Sequence, residues 1–168
     1  FNRVSKKNRV ISAPRPAVAE GRIEGHPDGH GFLVPDGDGP WIALPAAEMR
    51  QVLRGDRARV RVTGVDPRGR PSGEIVEVLE RSNRRIVGRL HKEHGVMFLV
   101  PEDRRMPVDI LIPPDETRRA KPGQVATVEL VAQPSKHAQP IGRVVEVLGG
   151  YADPGMEIEI ALRKFDLP

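Results

Sequence analysis

The sequence has 168 residues, 38% hydrophobic and 30% charged, and two small domains of this composition would each bury only a thin core. It lacks cysteine, which excludes disulfides and thiolate metal sites, and no apolar run or signal-like segment indicates a membrane partner. The net charge of +4 lies mostly in residues 1–20 and 84–152, a distribution compatible with a polyanionic partner.

Residues 1–20 are basic at first and then carry Pro14 and Pro16. Proline disfavours a continuous helix or a central strand here. We therefore predict a basic linker from an upstream region, with room for one short strand.

Residues 21–83 contain short β-branched runs separated by Gly, Pro and Asp, the pattern of a small β-domain. A short helical turn is predicted from Pro45 to Leu53, ended by Gly55. Five strands with a helix between the third and fourth are the layout of an OB barrel, whereas an SH3-type barrel lacks that turn. The predicted strands are approximately 20–25, 30–35, 41–44, 57–63 and 73–80.

Residues 84–152 repeat this pattern at an offset of 66 to 69 residues. Gly21-Arg22-Ile23 returns as Gly88-Arg89-Leu90, and Phe32-Leu33-Val34-Pro35 returns as Phe98-Leu99-Val100-Pro101. A fixed period of this length indicates a duplicated small domain. The predicted fold class is all-β, with two tandem five-stranded OB barrels and a short helix between strands 3 and 4 of each. The predicted strands of the second copy are approximately 86–91, 96–100, 109–112, 125–131 and 141–148.

The second strand of each copy carries the best candidate for binding a nucleobase. Alternation predicts that His30 and Phe32 project outward while Leu33 enters the core, and that Phe98 projects outward in the second copy. A ring on a strand face can stack on a base, a contact that contributes about 1–3 kcal/mol. The alternative is that both phenylalanines are core residues.

Arg57, Arg59 and Arg61 form a stripe on one face of the fourth strand. Three guanidinium groups can follow a phosphate backbone, or they can pair with Glu74 and Glu77 across the sheet. The second copy lacks the stripe, and exposed ion pairs are common, so the sequence favours pairing.

The histidine pairs His26/His30 and His91/His94 straddle turns, and we identify no carboxylate or thiolate set that completes a metal site. The sequence also contains no nucleophile elbow, phosphate-cradling loop or paired-carboxylate motif. We therefore predict no metal site and no catalytic residue in this segment.

Several motifs resemble a known family. Residues 29–34 resemble the first ribonucleoprotein motif of cold-shock domains, and residues 109–113 resemble the second. The tandem arrangement and the closing run 155–163 are similar to ribonuclease R-type members of the RNase II/RNB family of 3′-to-5′ exoribonucleases. Residues 6–9 resemble the tail of the winged-helix region that precedes the barrels in that family.

This resemblance implies cold-shock domains at 21–83 and 84–152, with 153–168 as the start of an RNB-like catalytic domain. It implies a cytoplasmic segment that binds single-stranded RNA and feeds it to the catalytic channel. The expected partners are single-stranded RNA and the protein's own downstream catalytic domain. The segment itself is expected to hold no cofactor, because Mg²⁺ belongs to an aspartate cluster further downstream in the family.

The resemblance also implies site residues. Phe32 and Phe98 would stack bases, and His30 and Trp41 would assist. Ala43 and Leu111 stand where the family has a second outward aromatic, so we expect weak, salt-dependent affinity. A protein-docking pair of OB domains with little RNA affinity and a stand-alone RNA chaperone are the alternative functions. The residues expected to meet phosphates are Arg22, Arg89, Lys92, Arg104 and Arg105.

Overall fold

The computed structural model describes residues 17–164. The first segment forms a closed barrel, and its strands carry apolar residues in alternation. The strand order is β1-β2-β3-β5-β4, and pairing of β1 with β4 closes the barrel. Ile23, Leu33 and Val60 are fully buried inside it, because every second side chain of a strand faces the core. The strands are β1 (Val18–Gly25), β2 (Gly31–Pro35), β3 (Ile42–Leu44), β4 (Arg57–Val65) and β5 (Pro71–Glu80).

The second segment closes in the same way, with β6 to β10 taking the places of β1 to β5. Leu90, Leu99 and Val128 are its fully buried counterparts. The predicted fold of two tandem five-stranded OB barrels is confirmed, and the strand ends fall within two residues of those predicted. The strands are β6 (Arg85–Glu93), β7 (Val96–Pro101), β8 (Ile110–Ile112), β9 (Gln124–Ala132) and β10 (Ile141–Gly150).

The first strand begins earlier than the sequence indicated. Val18 lies inside the stretch predicted as a linker, and it already pairs with Arg61 of β4. The basic side chains expected in the linker fall within 1–16, outside the described residues.

The helices between the third and fourth strands differ in the two barrels. The first barrel has α1 (Ala46–Met49), whereas the second has only a 3₁₀ turn at Pro114–Glu116. Arg118 and Arg119 take positive φ angles of 49° and 62° soon after this turn, which an α-helix does not accommodate. The second connection therefore makes a single tight turn in place of an α-helix.

A second helix, α2 (Met156–Lys164), follows the second barrel and was not predicted. Its Met156 is buried against Val87 and Val125, and Ile160 packs at the same place one turn later. Arg163 bonds both Glu159 on the same helix and Glu146 of β10.

Among residues 17–164, no helix is long and apolar enough to cross a membrane. Whether 153–168 begins a catalytic domain stays a prediction.

Two glycines that recur in the repeat mark sites where strands approach closely. A Cβ at Gly21 would lie 2.0 Å from the carbonyl oxygen of Val34, and one at Gly88 would lie 2.3 Å from that of Val100. Both separations are far below contact distance. A side chain at Gly21 would push β1 and β2 apart, and one at Gly88 would push β6 and β7 apart. The repeated glycine is thus a requirement of barrel closure.

A buried carboxylate joins the barrels. Asp56 is fully buried; its Oδ2 accepts the N–H of Leu53 at 2.9 Å, and its Oδ1 accepts that of Ser82 at 2.9 Å. Arg81 lies 3.4 Å from Oδ2 and also donates to the carbonyl of Pro134 in the second barrel. Asp56 therefore holds the connecting segment against both barrels.

The barrels also touch directly. A Cβ at Gly25 would lie 2.0 Å from the carbonyl oxygen of Arg105, so the end of β1 runs against the β7–β8 loop. Leu53 of the first barrel packs in the same cluster as Met106 of the second. The two barrels therefore share a contact surface.

Candidate nucleic-acid interface

The outer face of β2 presents Phe32. Its side chain is half-buried, while that of its neighbour Leu33 is fully buried, so Phe32 is not a core residue. Ala43 lies opposite Phe32 on β3, and Glu24 lies opposite it on β1. The alanine directly opposite is small and buried.

Phe32 belongs to a row of four rings on the first barrel. His26 and His30 stack with centroids 4.6 Å apart, and the edge of His30 meets Phe32 at 5.2 Å. Trp41 follows on the other side of Phe32 at 5.9 Å, tilted by 54° and about half exposed (51%). The structure therefore brings together three of the predicted site residues and adds His26.

Arg70 was missed by the sequence-based prediction and lies over Phe32. Its guanidinium carbon is 4.9 Å from the ring centroid, and its Nε donates to Asp66 at 2.9 Å. A cation over an aromatic face is a stabilising contact, so Arg70, paired with Asp66, places a guanidinium group against the Phe32 ring. The only available signal was the turn sequence Arg68-Gly69-Arg70, which does not show which strand the arginine will cover.

The second barrel carries a smaller surface around Phe98. His91 of β6 stacks with this ring at 5.6 Å and 16°, and Leu111 lies opposite it on β8. Burial and the nearby charge of Glu93 raise the pKa of Asp109 at the same edge. Carboxyl groups therefore lie beside the rings of both barrels, since Glu24 and Asp28 flank those of the first.

The predicted phosphate-binding residues fall in different places. Arg22 and Arg89 occupy equivalent outer positions on β1 and β6, but Arg22 donates to the Gly55 carbonyl, and Arg89 lies 4.2 Å over the ring of Tyr151. Lys92 and Arg104 are exposed, with no hydrogen bond or ion pair to any described residue.

Arg105 sits apart from these residues, at the junction of the two barrels. It bonds Asp103 there. The structure therefore does not assemble the five cations into one patch.

The arginine stripe of β4 is paired with acids. Arg59 bonds Glu20 and Glu77, and Arg61 bonds Glu74. Arg57 binds Asp36 through two hydrogen bonds of 2.6 Å, which lower the pKa of that carboxyl group. The cross-strand pairing favoured by the sequence is confirmed, so this stripe is not a free phosphate track.

The His26/His30 pair has a carboxylate beside it that the sequence-based prediction did not consider, and the expected absence of a metal site stays a prediction. Asp28 Oδ1 lies 3.1 Å from His26 Nδ1 and also contacts His30 Nδ1. The prediction overlooked Asp28 because it treated the residues between the histidines only as a turn.

A cavity of about 190 Å³ between the barrels was also not predicted. Its floor is apolar and comes from both domains, with Leu53 and Met106 among the lining residues, while Arg50 and Arg105 lie at its rim. Such a cavity depends on how the barrels dock, which no local sequence pattern reports.

Both barrels match known protein families in sequence. A Ribonuclease B OB domain model matches residues 21–78, and a Cold shock domain model matches residues 98–168. The sequence is 42% identical over 153 residues to ribonuclease R of Acidithiobacillus ferrooxidans, and 40% identical over 151 residues to that of Escherichia coli. The chain is similar to the tandem OB-domain segment of ribonuclease R. Each alignment takes in 90% of the chain, but only 35% and 19% of those relatives, respectively.

Solved structures share the fold of this segment. Yeast Ssd1, a pseudonuclease, matches 89% of the chain with a TM-score of 0.74 at 17% identity. Mycoplasma genitalium RNase R in its apo form gives the same coverage and TM-score at 14% identity, and its complex with ribose methylated single-stranded RNA does so at 15%. The chain spans about a quarter of each. At these identities the likeness establishes the fold.

Proposed function

We propose that this segment binds single-stranded RNA and feeds it to the catalytic channel of a ribonuclease R-type 3′-to-5′ exoribonuclease. The observation that carries the proposal is the row of rings His30, Phe32 and Trp41 on an outer barrel face, with Arg70 over Phe32. Flat rings beside a guanidinium group match the alternating bases and phosphates of an unpaired strand.

The chemistry of the row favours unpaired RNA over a duplex. Bases within a double helix already stack on one another, so their faces are closed to protein side chains. A row of rings on a strand face suits bases that are splayed out one after another. The first barrel would take the larger share of these contacts, since it has four neighbouring rings and the second has two.

Similarity to ribonuclease R supports the exoribonuclease setting. The curated relatives at 40–42% identity are named ribonuclease R, which favours a nuclease segment over a stand-alone RNA chaperone. In this proposal Mg²⁺-dependent hydrolysis belongs to the downstream catalytic domain, and the barrels only hold RNA. The proposed setting is the cytoplasm, which the absence of cysteine fits.

A second candidate role is docking onto the rest of the protein. Ile158 on α2 is 63% exposed while the neighbouring Met156 is buried, so the helix offers an apolar outer side. Docking alone predicts that substitutions on this helix change assembly while oligonucleotide affinity stays flat. The titration below therefore separates the two roles.

Affinity for a fluorescently labelled single-stranded oligonucleotide should fall steeply with salt. Three or more phosphate contacts give a plot of log K against log salt with a slope of about −2 or steeper, because each contact contributes about −0.7. Fluorescence anisotropy on the 168-residue chain measures this slope. Absence of binding at low salt, or an affinity that does not change with salt, would contradict the proposed function.

A further inference from the structure

The turn between β1 and β2 gathers three metal-ligating side chains. His26, Asp28 and His30 alternate along the chain, and one ligand atom from each lies within 4.8 Å of the other two. The His26 Nδ1 to Asp28 Oδ1 distance is 3.1 Å. This is the one such group of three or more among residues 17–164.

The backbone of the turn holds these side chains together. His26 N–H donates to the carbonyl of His30 at 3.0 Å, and Gly29 N–H donates back to the carbonyl of His26 at 3.0 Å. Gly29 takes a φ of 102°, which a residue with a side chain rarely adopts. The turn is therefore closed by its own hydrogen bonds, and its ligand atoms are close before any ion arrives.

We propose that this turn binds a divalent transition-metal ion such as Zn²⁺ through Nδ1 of His26, Oδ1 of Asp28 and Nδ1 of His30. Zinc bonds to imidazole nitrogen and carboxylate oxygen are about 2.0–2.2 Å, which places tetrahedral ligands about 3.3–3.6 Å apart. The His26–Asp28 distance of 3.1 Å is close to that spacing, and the shorter His30–Asp28 contact would have to open. The two rings lie 18° from parallel and His26 Nδ1 accepts the N–H of Asp28 at 3.2 Å, so ion binding requires this hydrogen bond to break and both rings to turn about the broad Cβ–Cγ torsion.

The ligand set also sets the metal preference. Two imidazoles and one carboxylate suit Zn²⁺, Ni²⁺ or Cu²⁺, whereas Mg²⁺ prefers oxygen ligands. The N–H of His30 donates to Asp28 Oδ1 at 3.0 Å, which orients this carboxylate within the turn.

Three protein ligands leave a coordination position for water or a phosphate oxygen. His30 meets Phe32 at 5.2 Å, so an ion bound here lies beside the row of rings. On this basis, and resting on the proposed RNA binding, zinc should strengthen oligonucleotide binding. Metal binding itself does not depend on that function.

The test is a calorimetric titration of the 168-residue chain with Zn²⁺ and, separately, Mg²⁺, without RNA. We expect one Zn²⁺ per chain and no Mg²⁺ binding in the same range. His26→Gln and Asp28→Asn should each weaken zinc binding about tenfold or more. The matched control is His137→Gln, which removes an exposed imidazole from another loop and should leave the zinc affinity unchanged.

A spectroscopic arm uses Co²⁺, whose visible absorption reports nitrogen and oxygen coordination. Loss of that absorption in His26→Gln, with an unchanged circular dichroism spectrum, would support the site. Absence of zinc binding, or zinc binding that His26→Gln and Asp28→Asn leave intact, would overturn it. An oligonucleotide titration with and without zinc then tests coupling to RNA, so failure of the metal site and failure of the proposed function give different results.

Discussion

Asp56→Ala should lower the free energy of unfolding by about 3 kcal/mol, since a buried donor left without its partner costs about 1–3 kcal/mol. The carboxylate is fully buried and accepts N–H bonds from Leu53 and Ser82, both at 2.9 Å. Its loss leaves both donors unsatisfied and frees Arg81, which spans to Pro134 of the second barrel. Chemical denaturation followed by circular dichroism measures the effect.

Asp38→Asn is the matched control for this variant. Asp38 is exposed, and the described residues offer it no ion pair, so its replacement should change stability by less than about 0.5 kcal/mol. An Asp56→Ala protein as stable as the Asp38→Asn protein would show that the connection between the barrels does not depend on this carboxylate.

Replacing both outward phenylalanines, Phe32→Ala with Phe98→Ala, should weaken binding of a single-stranded oligonucleotide about 30-fold or more. Stacking on one ring contributes about 1–3 kcal/mol, so two rings contribute at least about 2 kcal/mol. Phe32→Ala alone should have the larger single effect, because Phe32 touches His30, Trp41 and Arg70, whereas Phe98 stacks with His91 alone. Anisotropy at one fixed salt concentration compares the variants.

Two controls accompany this comparison. Phe32→Tyr retains a ring and should bind nearly as well as the original sequence. Val131→Ala removes an exposed apolar side chain (55%) from β9 of the second barrel that makes no ring contact, and it should have little effect. A double variant that binds as tightly as the original sequence would show that bases do not stack on Phe32 and Phe98.

The barrels were predictable because their cause is local. Buried Leu33 beside outward Phe32, and buried Leu99 beside outward Phe98, follow from alternation along one strand. Because the sequence repeats, the strands predicted in one copy supported those predicted in the other. Glycine stands at the same place in both copies, but its close approach to Val34 in the first copy appears only in three dimensions.

The interactions that were missed join residues far apart in the sequence. Asp56 stands in an ordinary loop, and nothing near it shows that Ser82 will donate to it. Arg70 covers Phe32 only because the β4–β5 turn folds over β2. The helix α2 was missed because its apolar residues Met156, Ile158 and Ile160 alternate as in a strand, and only packing on β6 and β10 distinguishes the two.

Intrinsic fluorescence tests directly whether the ring row of the first barrel receives unpaired bases, as proposed above. Trp41 is the one tryptophan of the sequence, about half exposed and 5.9 Å from Phe32. Adding an unlabelled single-stranded oligonucleotide at low salt should quench its emission saturably, and added salt should restore it. Binding detected by a labelled oligonucleotide without any change in Trp41 emission would contradict the claim.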